Sequence, residues 1–162
     1  MVTKETLGKA IAFAVDCHKD QFDKGGNPYI LHPLHVMNKL IEKYPDDIKL
    51  HIVGVCHDTI EDKFANNHFY GFSVFANEVT NDPEVNLSLE LVTKKKNQSY
   101  SDYINGIYFE RRATLCKLED LKHNSDITRL KGLTNKDFDR IKKYHASYCV
   151  LSGQSDKLLD LI

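Results

Sequence analysis

The segment LHIVGVCHDTIEDK, residues 50–63, constrains the fold more than any other stretch of the chain. Four ionisable side chains, His57, Asp58, Glu61 and Asp62, fall within six positions directly behind Ile52, Val53, Val55 and Cys56. Ile48, Ile52, Val55, Cys56 and Ile60 recur at the spacing of a helix buried along one side. Charge buried without a partner is costly, so something must neutralise these groups. In one continuous helix begun at Asp46–Asp47, His57 lies above Glu61 and Asp58 above Asp62, while neighbours in sequence diverge by roughly 100°. A divalent cation gripped from the flank of that helix meets the requirement. It neutralises carboxylates, accepts imidazole nitrogen and leaves room for ligands from elsewhere.

Two other segments hold candidates for those ligands. In YILHPLH, His32 stands at the junction of a loop and a helix, and His35 follows three positions later. In CKLEDLKHNSD, Asp120 and Asn124 are four apart and share a helix face.

The remainder reads as helix after helix. Leu7, Ile11, Ala14 and Val15 mark a helix over 3–20, with Thr3 as its N-cap. DKGGNPY, 23–29, is a loop, and His32-Pro33 opens a second helix with Leu34, Met37, Leu40 and Ile41 facing inward. Residues 63–71 read as a loop, followed by helices at 72–81, 84–92, 100–110 and 112–123. Thr134 with Asp137 forms a capping box ahead of a helix that Gly153 stops. The closing DKLLDLI is short and amphipathic. No strand alternation appears. The expectation is therefore an all-α, single-domain helical bundle over 1–162, with its body at 5–152 and a short C-terminal helix at 154–162.

Composition excludes more than it assigns. A net charge of −1 gives no overall attraction for nucleic acid or an anionic membrane. No apolar run approaches a membrane span, and Lys9 and Asp16 interrupt the N-terminal apolar stretch, so the reading is a cytoplasmic protein without a signal peptide. Cys17, Cys56, Cys116 and Cys149 lack metal-ligand spacing and read as reduced core residues. Lys94-Lys95-Lys96 reads as a solvated loop, or as an arm that draws in a phosphorylated ligand. Oligomeric state is left open.

The ordered set NPYILHPLHVMNKL, VCHDTIED, CKLEDLKHNSDITRL and DFDRIKKYHASYCVL resembles the HD-domain phosphohydrolases. Within them it is most similar to the hydrolase domain of the RelA/SpoT family and its stand-alone small alarmone hydrolases, including the metazoan SpoT homologues. The likeness runs in order through nearly all of residues 5–152. It implies His32, His57, Asp58 and Asp120 as metal ligands, with Mn²⁺ as the usual ion. It implies Glu61 and Asp62 as the groups that manage the nucleophilic water and proton transfer, and Asn124 as a residue near the substrate. Lys24 and Tyr144 are the expected further contacts to the nucleotide. His35 and His123 are expected beside the metal rather than on it, and His18 in the core or supporting the site. The implied reaction removes the 3′-pyrophosphate from an alarmone such as ppGpp, giving GDP and pyrophosphate.

The chain departs from the family pattern in two places. Asp23-Lys24-Gly25-Gly26 stands where the family often shows Arg-Lys-Ser-Gly, whose arginine is implicated in stacking on guanine. Ser125-Asp126-Ile127 stands where it shows Met-Arg-Thr. Two alternative readings stand beside the alarmone hydrolase: a phosphohydrolase of another phosphorylated nucleotide (ppApp or NADPH), or a non-catalytic binding module on the same scaffold; an enzymatic antitoxin role is compatible with either hydrolase reading.

Overall fold

A computed structural model describes residues 1–155. Its helices are α1 (Lys4–His18), α2 (Leu31–Lys43), α3 (Ile48–Cys56), α4 (Thr59–Lys63), α5 (His68–Glu78), α6 (Pro83–Val92), α7 (Tyr100–Tyr108), α8 (Arg111–Ser125) and α9 (Asn135–Leu151), with a 3-10 turn at Ile127–Arg129 between the last two. No β-sheet is present among the described residues, so the all-α expectation holds.

Most boundaries follow from side chains that occupy the free N–H groups of a first turn. Thr3 and Thr6 form a reciprocal cap on α1, and Asp47 accepts from Leu50 N at the start of α3. Asp82 accepts from Glu84 N and Val85 N with Pro83 opening α6. Thr134 and Asp137 form the expected capping box on α9.

Several boundaries shift from the sequence reading by up to a turn at one end; three differences concern where a helix starts or breaks. Helix α2 begins at Leu31, one residue before His32-Pro33, which still leaves Pro33 in the first turn where no N–H is needed. Helix α5 begins at His68, inside the expected 63–71 loop, because the Asn67 side chain accepts from Tyr70 N and starts the helix early. The continuous helix expected through 57–62 is broken at His57–Asp58, and α4 restarts at Thr59. The short helix expected at 154–162 falls outside the described residues from 156 onward.

Helix α3 is the axis of the bundle. Every residue from Leu50 to Cys56 is buried, with α1, α2, α6 and α8 packed around it. Gly54 permits a close approach of α2: a Cβ there would lie 2.7 Å from Leu40 Cδ1 and 3.2 Å from Met37 Cα. The crossing of α2 and α3 therefore sets how near His32 comes to His57. No helix among the described residues is long and apolar enough to cross a membrane.

Candidate metal centre and adjoining pocket

The break after α3 has a direct consequence for the polar groups that follow it. On an unbroken helix His57 and Asp58 would diverge; across the break, His57 Nε2 and Asp58 Oδ2 come within 3.0 Å. His32, delivered by the first turn of α2, places Nε2 3.3 Å from His57 Nε2 and 3.6 Å from Asp58 Oδ2. Asp120, from the middle of α8, places Oδ1 3.0 Å from His32 Nε2 and 3.6 Å from His57 Nε2. Three segments thus bring these four residues together, with Asp58 and Asp120 each close to both His32 and His57. His32, His57 and Asp58 each place a donor atom within 4.8 Å of those of the other two.

Hydrogen bonds outside the cluster fix how these donors point. The only role open to His57 Nδ1 opposite Gly54 O, at 2.9 Å, is to donate, which leaves Nε2 with a lone pair in the neutral ring. His32 Nδ1 lies 2.6 Å from His123 Nδ1, so one of the two must carry the proton between them. Burial, with Arg129 and His32 adding to it, pushes the His123 pKa down to about 3 and keeps that ring neutral. Tyr29 donates to Asp58 Oδ2 at 2.6 Å. Asp120 accepts from Lys117 Nζ at 2.7 Å and from Asn124 Nδ2 at 2.5 Å.

The donor set fits a divalent ion. Two donors each about 2.1 Å from one ion are about 3.0 Å apart at a right angle and about 3.4 Å apart at the tetrahedral angle. The five separations above, 3.0 to 3.6 Å, fall at or near those values. Electrostatics agree. Burial opposes charge on His57, yet Asp58 and Asp120 outweigh it and raise its pKa well above the usual imidazole value. Burial likewise opposes ionisation of Asp58 and Asp120, but the neighbouring imidazoles, and Lys117 for Asp120, hold both below the usual carboxylate range. The cluster stabilises positive charge at its centre.

Glu61 and Asp62, one turn further on, do not share one environment. Glu61 Oε2 accepts from Lys94 N at 2.8 Å. Asp62 Oδ2 accepts from Gln21 Nε2 at 2.7 Å, and Gln21 Oε1 in turn accepts from His18 Nδ1 at 2.7 Å. Burial, reinforced by the charge of Asp58, raises the pKa of both carboxyls. Such a shift moves a carboxyl toward the range in which it exchanges protons with a substrate.

Beside the cluster opens a cavity of about 270 Å³ whose lining includes Lys24, Tyr29, Asn124 and Tyr144. It brings together the three residues expected to meet a nucleotide. It also contains Arg140, which sequence reasoning missed, and Arg129, which reads from sequence as an ordinary surface charge. Lys24 Nζ and Arg140 Nη2 both donate to Asp137 Oδ1, at 3.3 and 3.0 Å. His35 stacks on His123 with ring centroids 3.9 Å apart, and neither ring is among the converging donors. Lys117 and Tyr29 were also missed as supports. Lys117 is one of two lysines in α8, and nothing in its spacing says which is buried. Tyr29 carried a signal, its place in the PYILHP segment.

No family model matches the chain. Over 127 residues it is 30% identical to a GTP pyrophosphokinase of Myxococcus xanthus, an alignment covering 74% of this chain and 17% of that protein. Over 153 residues it is 28% identical to a guanosine-3′,5′-bis(diphosphate) 3′-pyrophosphohydrolase of Borreliella burgdorferi, covering 86% of this chain and 21% of that one. A protein of the same description from Aquifex aeolicus is 43% identical over 58 residues, 36% of this chain and 8% of its own. The chain thus spans about a fifth or less of the curated relatives it matches.

Proposed function

Because the chain is an HD-type hydrolase domain of the RelA/SpoT family, we propose that it removes the 3′-pyrophosphate from guanosine alarmones such as ppGpp, giving GDP and pyrophosphate. The observation that supports this reading is the placement of Asp58 and Asp120 each 3.0 to 3.6 Å from both His32 and His57, at the edge of a pocket whose lining includes Lys24, Arg129 and Arg140.

His32, His57, Asp58 and Asp120 would hold the ion, for which Mn²⁺ is the working assignment. When bound, such an ion lowers the pKa of water and polarises a phosphoryl oxygen. The protein's own groups do the rest. Gly54 O orients His57, Tyr29 orients Asp58, and Lys117 with Asn124 orients Asp120, so the donors are held before substrate arrives. Glu61 and Asp62, with raised pKa values, take a proton from the attacking water and return one to the leaving oxygen. Lys24 and Arg140 meet the anionic nucleotide from the pocket wall.

The test is pyrophosphate release from ppGpp and ppApp, and orthophosphate release from NADPH, with Mn²⁺, beside His57→Ala and Asp120→Asn controls. Metal analysis of the purified protein runs in parallel. Release from ppGpp that both substitutions abolish is the expected result. Preference for ppApp or NADPH moves the assignment to another nucleotide on the same chemistry. A protein that binds metal at the site yet releases no pyrophosphate from any alarmone refutes the proposal.

A further inference from the structure

Asp23 breaks the family pattern at the sequence level, and its structural surroundings show what it does instead. Its Oδ1 accepts from Asn27 N at 2.9 Å, which fixes the loop. Its Oδ2 meets Arg129 Nη2 at 3.3 Å, a partner 106 residues away. Arg129 Nη1 donates to His123 O at 2.9 Å. The guanidinium is therefore held along two directions, and its plane is set.

The backbones of the two segments are docked to match. A Cβ at Gly25 would lie 2.9 Å from Arg129 O, so only glycine lets the loop seat this closely against the turn. The Arg129 side chain is 23% exposed, whereas that of Lys24 in the same pocket is 63% exposed. Arg129 is held by two partners, whereas Lys24 donates to one, Asp137 Oδ1, at 3.3 Å.

The pocket lining is of two chemical kinds. Tyr29 and Asn124 donate to Asp58 and Asp120, so they mark where a phosphate would react. Phe22, Leu130 and the fixed guanidinium of Arg129 share the lining but make no hydrogen bond to those donors. A planar cation beside apolar side chains matches a flat heteroaromatic ring better than it matches an anion. We propose that Arg129, held flat by Asp23 and the His123 carbonyl, is the specificity-determining residue on which the purine base of the nucleotide stacks. The proposal rests on the nucleotide reading of the pocket; Asp23 is then the anchor of a base platform rather than a lost one.

Binding of a fluorescent N-methylanthraniloyl GDP, followed by anisotropy with Mn²⁺ present, tests this without requiring turnover. Arg129→Ala is expected to raise Kd roughly 10- to 100-fold, the range of a lost base–side-chain stack. Arg129→Lys is expected to bind as weakly as the alanine variant, because an ammonium keeps the charge without the plane. Asp23→Asn should fall between wild type and these two. Preference for the guanine over the uracil nucleotide should narrow in Arg129→Ala, which a merely structural role would not produce. Circular dichroism confirms that each variant is folded. Wild-type affinity in Arg129→Ala, full rescue by Arg129→Lys, or no guanine nucleotide binding by the wild type overturns the assignment. Pyrophosphate release on the same samples separates the two readings. A wild type that binds the GDP analogue with the Arg129 dependence above, yet releases nothing from ppGpp, refutes the hydrolase and upholds the platform.

Discussion

Two glycine-to-alanine substitutions in helix interiors should move stability in opposite directions, and the difference measures how tightly the α2–α3 crossing holds the metal centre. Gly8 lies within α1, and a Cβ there would meet nothing within 4 Å. Alanine at that position gains only the helix preference, about 0.5 to 1 kcal/mol. Gly54 is different. Its Cβ would press on Leu40 Cδ1 at 2.7 Å and on the Met37 backbone at 3.2 Å. Leu40 is fully buried and has nowhere to swing, and a backbone atom yields only if the whole of α2 retreats. Overpacking of this kind costs about 1 to 3 kcal/mol, against the same helix gain of up to about 1 kcal/mol. The net expectation for Gly54→Ala is a loss of about 1 to 2 kcal/mol, some 2 to 8 °C in Tm for a chain of this size. Retreat of α2 also draws His32 away from His57, so Mn²⁺ affinity should fall in Gly54→Ala and stay unchanged in Gly8→Ala. Urea denaturation with chelator present gives the stabilities, and metal titration by calorimetry gives the affinities. Equal stabilisation of the two variants would refute the reasoning.

Two further outcomes follow from the surroundings of the site. Lys117→Met strips the buried Asp120 carboxylate of a 2.7 Å partner but leaves it Asn124 and His32, so the chelated protein should lose about 2 to 4 kcal/mol. Added Mn²⁺ should shrink that deficit because it takes over the neutralisation; a deficit that metal leaves untouched in urea denaturation would count against the site. Glu61→Gln should be more stable than wild type near pH 7 and should lose its advantage in acid. The folded-state pKa of Glu61 is raised, so the stability associated with its protonated form is present below the unfolded value of about 4.3 and is lost as pH rises through the folded one. Denaturation midpoints across pH, taken with chelator, check the sign, and an advantage that grows toward low pH would reverse it.

Much of the fold was legible because its signals are local. Thr3, Asp47, Pro83 and the Thr134–Asp137 box each mark a helix start within a few residues of sequence. The break at His57–Asp58 was not legible, since the apolar stripe continues from Cys56 to Ile60 as though the helix did too. Convergence of His32, His57, Asp58 and Asp120 followed from the family resemblance, while spacing alone required only some distant ligand. Lys117 and the Asp23–Arg129 pair escaped for another reason: burial of one of the two lysines of α8, and pairing across 106 residues, depend on tertiary packing that no window of sequence contains. Asn67 was overlooked as a cap, and with it the first turn of α5.

The chain origins of the donors bear on when the site can exist. His32 and His57 stand 25 residues apart, and Asp120 arrives from α8, after four more helices have been laid down. An unfolded chain has no such cluster to offer, so an ion that binds only the assembled centre adds its binding free energy to folding. It closes loops of very different length at one point and acts as a reversible cross-link between α2, the α3–α4 junction and α8. Metal supply in the cell would then set how much of this protein is folded as well as how much of it is active.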